Sequence, residues 1–338
     1  MKRICLTLLF LIAVLALPLE SALAAPISPG LSVTVHPREL VPAQAGYVLV
    51  GGGYPLDVAI TLDGAPLAVY WSGDGYLAPV VFGFDEPAGE HAIGIRAHNP
   101  ATGETLETTE TITVIPFNYP DESLALAFAL LPLLDPDMNI AEEQHLNEIY
   151  SARSPALNWT WPFSFPAPAP LVTSRFGGSR SYNSGMWRSH HTGIDFRRGL
   201  GDTILAAAGG RVAAAELLDV RGNVVIIDHG FGVFTQYAHM QDLQVTAGEV
   251  VRAGQVIGTV GSTGRTNGPH LHFEVIVNGQ PVDPIRWMAL APGFWPPREV
   301  PEEEAAAEGE GAPPPEGEPA PPPQGGEQPP PEGTDAGT

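Results

Sequence analysis

Six of the ten histidines in this 338-residue chain fall between positions 190 and 272. Three short stretches hold them: SHHTGIDF (189–196), DHGFGVFTQYAHM (228–240) and GSTGRTNGPHLHFEV (261–275). In a β-strand, side chains two residues apart share a face. His270 and His272 therefore project together while Leu271 and Phe273 turn towards a core. His191 and Asp195 are separated by three residues including Gly193, and a turn there can bring imidazole and carboxylate to one point. Two imidazoles and one carboxylate, with water in a fourth position, are the donor set of a hydrolytic zinc site. An H-x-H pair or an H-x-x-x-D alone says little; their coincidence carries the reading. Sulfur is excluded as ligand or nucleophile, because the only cysteine is Cys5, near the amino terminus.

Strands must position these groups. VVIIDHG, GVFTQYAHM, VIGTVGSTG and HLHFEVIVNG are β-branched runs separated by glycine turns,. Helical signals are nearly absent from Leu171 to about Pro296, so the segment reads as an antiparallel β-domain.

On these residues the segment 171–285 resembles the M23 family of metallopeptidases, the lysostaphin and LytM type. The matching motifs are His191-Thr-Gly-Ile-Asp195, Tyr237-Ala-His239, and Gly261-Ser-Thr-Gly264 through Gly268-Pro-His-Leu-His-Phe-Glu274. The resemblance implies that His191, Asp195 and His272 bind one Zn²⁺. It implies that His270 acts on the attacking water and that His239 stabilises the tetrahedral intermediate or shares the proton work. His190 is expected to face away or line the rim, and His229 to be structural. The activity implied is a zinc metalloendopeptidase that cuts peptide bonds in peptidoglycan stems or cross-bridges by a metal-activated water. The alternative is a catalytically inactive relative that binds peptidoglycan or activates an amidase. VTAGEVVRAGQVIGTV (245–260) also resembles half-motifs of biotinyl or lipoyl carriers. Those need a lysine at a hairpin tip, and Lys2 is the only lysine.

The rest of the chain divides by composition into segments at 1–24, 26–117, 118–160, 161–296 and 297–338. Lys2 and Arg3 before an apolar run, followed by Ala22-Leu23-Ala24, read as a signal peptide cleaved after Ala24,. The run is too short for a membrane span, so the mature protein is expected in the cell envelope or outside the cell without stable membrane insertion. Residues 26–117 hold about seven short β-runs with Gly, Pro, Asn and Asp turns, the pattern of an immunoglobulin-like sandwich. His36, His91 and His98 lie there without metal spacing. Residues 118–160 are expected to form a helical connector, with a first helix capped by Asp121 or Ser123 and interrupted at Pro132, then a second over 141–152. His145, Glu142 and Glu148 read as a solvated face of that second helix. Residues 297–338 form the acidic Pro/Gly/Glu tail, expected to be disordered: 301–338 hold ten acidic residues and no basic one,. With a formal net charge of −22 and no basic stripe, nucleic acid is excluded as a partner,. The fold class expected is mostly β, with peptidoglycan peptides as the partner.

Overall fold

The computed structural model describes residues 30–73, 75–155, 158–159 and 163–290, and the backbone of 298–299. The expected signal peptide and acidic tail lie outside the described residues. The chain is mostly β, as its alternating patterns require. A four-stranded sheet orders Ser32–His36, Ala45–Gly51, Tyr76–Val81 and Tyr70–Trp71. A five-stranded sheet orders Glu39–Leu40, Thr105–Val114, Gly89–His98, Asp57–Leu62 and Ala65–Pro66. Both turn their apolar positions to one core that includes Val48, Val50, Ile60, Val80, Ile93, Ile95 and Ile112. The two sheets pack as a sandwich because each has one apolar face that only the other can cover.

A larger sheet follows. Its central order is Gly210–Leu218, Gly222–Gly230, Val233–Leu243, His270–Val277, Ile194–Arg197 and Leu171–Ser174, each antiparallel to its neighbour. One face carries the main core, with Ile194, Phe196, Val225, Ile227, Tyr237, Leu271 and Phe273. The opposite face holds a smaller cluster in which Leu146 and Tyr150 of the helix Pro136–Ser151 cover Val224, Ile226, Phe234, Ala238 and Ile276. Both faces are covered, which is why these strands read as continuous apolar runs. The two parts of the chain are not independent. Ala43 and Ala45 belong to the main core, Tyr70 stacks on Phe231 with centroids 4.2 Å apart, and Phe84 stacks on His190 at 4.2 Å.

The connector departs from expectation at its start. Asp121–Leu124 is a strand, parallel to Ser179–Tyr182, and caps no helix. The hairpin Ser179–Tyr182/Trp187–His190 offers an open edge, and Glu122 there meets Arg180. Pro132 lies inside a 3₁₀ turn, Phe128–Leu134. The α-helix starts at Pro136, earlier than expected, because the Asp135 side chain accepts from the amides of Asp137 and Met138 and proline suits the first helical position,. Glu142 is buried and does not share the solvated face expected of it. A short helix, Pro284–Met288, also appears; Asp283 caps it and Trp287 and Met288 enter the main core.

His229 lies in the strand Gly222–Gly230, fully buried. Its Nδ1–H donates to the Gly209 carbonyl at 2.7 Å, and its Nε2 is 2.7 Å from the Thr235 hydroxyl. Thr235 in turn lies 3.0 Å from the Tyr237 hydroxyl, which accepts from the Ala207 amide at 2.7 Å. A neutral His229 lets every group in this chain find a partner. Burial pushes the His229 pKa down to about 4. The unfolded chain therefore takes up this proton first, and the stability His229 contributes is lost as pH falls from about 6.5 towards 4. A shift of that size corresponds to about 3 kcal/mol. Urea unfolding should show wild type losing stability more steeply than His229→Gln between pH 6.5 and 4.5; equal slopes would count against this assignment.

Candidate metal centre

Register alone brings two of the expected residues together. Asp195 pairs directly with His272 across the strands Ile194–Arg197 and His270–Val277, and Ala238 pairs with His272 on the other side. Direct partners share a face, so Asp195 and His272 meet while Ala238, small, leaves room above them. His191 enters from the turn before Ile194. That turn runs close against the neighbouring strand at Gly193, where a Cβ would stand 2.4 Å from the Phe273 carbonyl and 2.9 Å from His272 Cε1. Glycine is required there by close approach.

His239 arrives by a different route, which alternation alone does not predict. Tyr237 points into the main core against Phe273, at 5.3 Å between centroids. Two residues on, His239 should point the same way. It instead takes φ +59°, at an irregularity in the pairing of Val233–Leu243 with its neighbours. The bulge re-aims the ring onto the other face, where it lies 4.9 Å from His270 and 5.9 Å from His272 between centroids.

The structure thus gathers all five expected residues. His191 Nε2, His272 Nδ1 and Asp195 Oδ1 lie 2.8 to 3.1 Å from one another, and these three residues could hold a metal ion. His270 Nε2 lies 3.6 Å from Asp195 Oδ1. His190 stays outside, its Nδ1 on the Gly177 carbonyl.

The rear nitrogen of each ring is held by an oxygen. His191 Nδ1 is 2.6 Å from the Arg175 carbonyl, His239 Nδ1 2.8 Å from that of Thr263, and His270 Nδ1 3.0 Å from that of Gly268. His272 Nε2 is 2.9 Å from the Glu274 carboxylate. A carbonyl or carboxylate only accepts, so each rear nitrogen carries a proton, and whenever a ring is neutral its front nitrogen presents a lone pair. Two such lone pairs and a carboxylate oxygen repel at this spacing unless a cation or a shared proton sits among them. The donor set, two nitrogens and one oxygen with fixed tautomers, fits zinc.

Charge follows the same geometry. Burial opposes ionisation of Asp195, yet His191 and His270 hold its carboxyl well below the usual range. Burial likewise pushes His239 well below the ordinary imidazole value, helped by His270 and His272. Burial would raise the Glu274 carboxyl, but Arg221 and the hydrogen bond from His272 bring it down to about 2. Two arginines that no sequence motif marks also reach the site. Arg180 lies 3.2 Å from Asp195 Oδ2, and Arg221 lies 3.7 Å from Glu274 Oε1. Their contacts are set by tertiary packing, and no local spacing signals them. Gly193→Ala should destabilise the chain by at least about 2 kcal/mol through overpacking. Thermal unfolding checks this, and an unchanged midpoint would show that the two strands can separate freely.

Comparison with known proteins agrees with this geometry. Residues 189–284 match the model of peptidase family M23. A DD-carboxypeptidase/endopeptidase Mpg of Neisseria meningitidis is 43% identical over 120 residues, which is 34% of this chain and 27% of that protein. The murein hydrolase activator NlpD of Salmonella typhimurium is 33% identical over 176 residues, 52% of this chain and 41% of that protein. The chain thus spans less than half of either relative. A crystal structure of a peptidase M23 from Pseudomonas aeruginosa superposes with TM-score 0.56 at 26% identity, covering 74% of this chain and 95% of that one. Residues 189–284 of this chain are thus similar to peptidase family M23, in the segment that holds the candidate metal ligands.

Proposed function

We propose that the chain is an exported zinc metalloendopeptidase hydrolysing peptide bonds in peptidoglycan stems or cross-bridges. In this reading His191, Asp195 and His272 hold one Zn²⁺, and His270 and His239 serve the reaction. The observation that carries it is the convergence of three acceptor atoms within 2.8 to 3.1 Å, each fixed from behind. The peptidoglycan substrate rests on relatives such as the peptidoglycan DD-endopeptidase ShyB of Vibrio cholerae. Export rests on the composition of residues 1–24, and among the described residues no helix is long and apolar enough to cross a membrane. The division at 26–117, 118–160 and 161–296 into sandwich, connector and peptidase domain belongs to the same proposal.

A bound zinc ion would supply Lewis-acid polarisation of a carbonyl and of a water. The protein's own groups do the rest. His270 presents Nε2 to the site, with Nδ1–H fixed on Gly268, so it can take a proton from water and return it to the leaving amine,. His239 is neutral near pH 7 and presents a lone pair, because Thr263 holds its Nδ1–H. It can stabilise a developing oxyanion only after gaining a proton, so proton sharing precedes electrostatic stabilisation.

The activator from Salmonella favours a second reading, a non-catalytic chain that binds peptidoglycan or activates another hydrolase. Zinc content and release of new amines from purified sacculi decide between them. The peptidase reading expects one zinc per chain and new amines. A zinc-loaded protein that releases none supports the activator; a chain that takes up no zinc contradicts the peptidase. Alanine at His191, Asp195 or His272 should abolish zinc binding. His270→Ala and His239→Ala should keep zinc and lower turnover about 10²–10⁴-fold, and full activity in either would remove that residue from its role.

A further inference from the structure

The segment Asp121–Tyr150 lies outside the residues matched by the family model, yet its side chains reach the metal centre from behind by three routes. Glu122 accepts from Arg180 Nε at 2.9 Å. Arg180 then spends a second nitrogen on Asp195 Oδ2 at 3.2 Å and on the Ser174 hydroxyl at 2.7 Å. Glu142 accepts from Arg221 Nη1 and the Arg221 amide at 3.1 Å each, and from the Val220 amide at 2.7 Å. The Nε of Arg221 is buried without a hydrogen-bond partner and stands 3.7 Å from Glu274 Oε1. That oxygen accepts from His272 Nε2 at 2.9 Å, Thr192 Oγ1 at 2.9 Å and Gln236 Nε2 at 2.8 Å. Tyr150 donates to the Gln236 side-chain carbonyl at 3.0 Å, which fixes the amide so that its nitrogen faces Glu274.

We propose that Glu122 and Glu142 are positioning residues of the metal centre, each neutralising an arginine that grips a metal ligand or its partner. The inference rests on the zinc reading above. Its physics is a balance of charge. Arg180 and Arg221 are each shared between two carboxylates, one in the connector and one at the centre. With the connector acid present, the guanidinium fixes Asp195 or Glu274 in place without withdrawing its full negative charge. When the connector acid is neutral, the whole unit charge falls on the remaining carboxylate, at 3.2 Å or 3.7 Å and largely screened from water,. Asp195 then becomes a poorer donor to a dication. Glu274 becomes a poorer acceptor for His272, and the imidazole loses basicity. The connector helix is thereby part of the site, and its docking and the ion's affinity are linked.

The test uses the full chain and zinc itself, with affinity measured by competition against a chromogenic chelator. Glu142→Gln keeps the side-chain volume and should weaken zinc tenfold or more, within the range found for outer partners of metal ligands. The double variant Glu142→Gln/Arg221→Gln removes the unbalanced cation and should regain most of that loss. A merely structural role for Glu142 predicts a double variant no better than the single. If Glu142→Gln does not fold, Glu122→Gln tests the other route at a strand edge, with rescue by Arg180→Gln expected in the same way. Zinc affinity within twofold of wild type in the single variant, or no recovery in the double, overturns the proposal. A wild-type chain that binds no zinc refutes the zinc reading itself and takes this inference with it.

Discussion

Acceptor atoms that converge at hydrogen-bond distance repel unless a proton or a cation is shared among them, and a folded chain holds them so only when its surroundings leave them no alternative. That constraint governs the sheet around His191, Asp195 and His272. Each ring is pinned by a backbone carbonyl or carboxylate at its rear, and Asp195 is pinned through its second oxygen by Arg180. The strands beneath are buried on both faces, with Phe273, Tyr237 and Phe196 filling the main core and the connector helix covering the other side. The energy that keeps the acceptors together comes from that burial, and a cation among them converts the repulsion into binding.

Strand periodicity made much of this legible. His270 and His272 on one face, with Leu271 and Phe273 on the other, follow from a period of two, and the structure places them so. Gly193 was visible as a turn; its second role, letting the strand of Asp195 lie against Phe273, depends on a neighbour 80 residues away. His239 was legible only through its motif, since alternation points it into the core with Tyr237 and a left-handed backbone turns it out. The connector is the least legible part of the sequence. Asp121–Leu124 looks like a helix start by residue type, but an open hairpin edge and Arg180 make it a strand. Glu142 looks solvated by its helix spacing, and becomes buried because the amides of Val220 and Arg221 and the Arg221 guanidinium supply donors that no local pattern announces.

The amino-terminal sandwich and the histidine-bearing sheet share apolar and aromatic contacts through Ala43, Ala45, Tyr70 and Phe84. Phe84 stacks on His190, the residue next to His191 in the chain. Contacts of this kind order the two parts relative to each other. They also bring residues well before the first motif into contact with the segment that carries it.

X-ray absorption at the zinc edge of the zinc-loaded full chain tests the central claim most directly. The geometry predicts a first shell of two imidazole nitrogens and carboxylate or water oxygens, with four donors in all at about 2.0–2.2 Å. A shell of oxygens alone, without the scattering of histidine rings, would contradict the assignment of His191 and His272 and the account built on them.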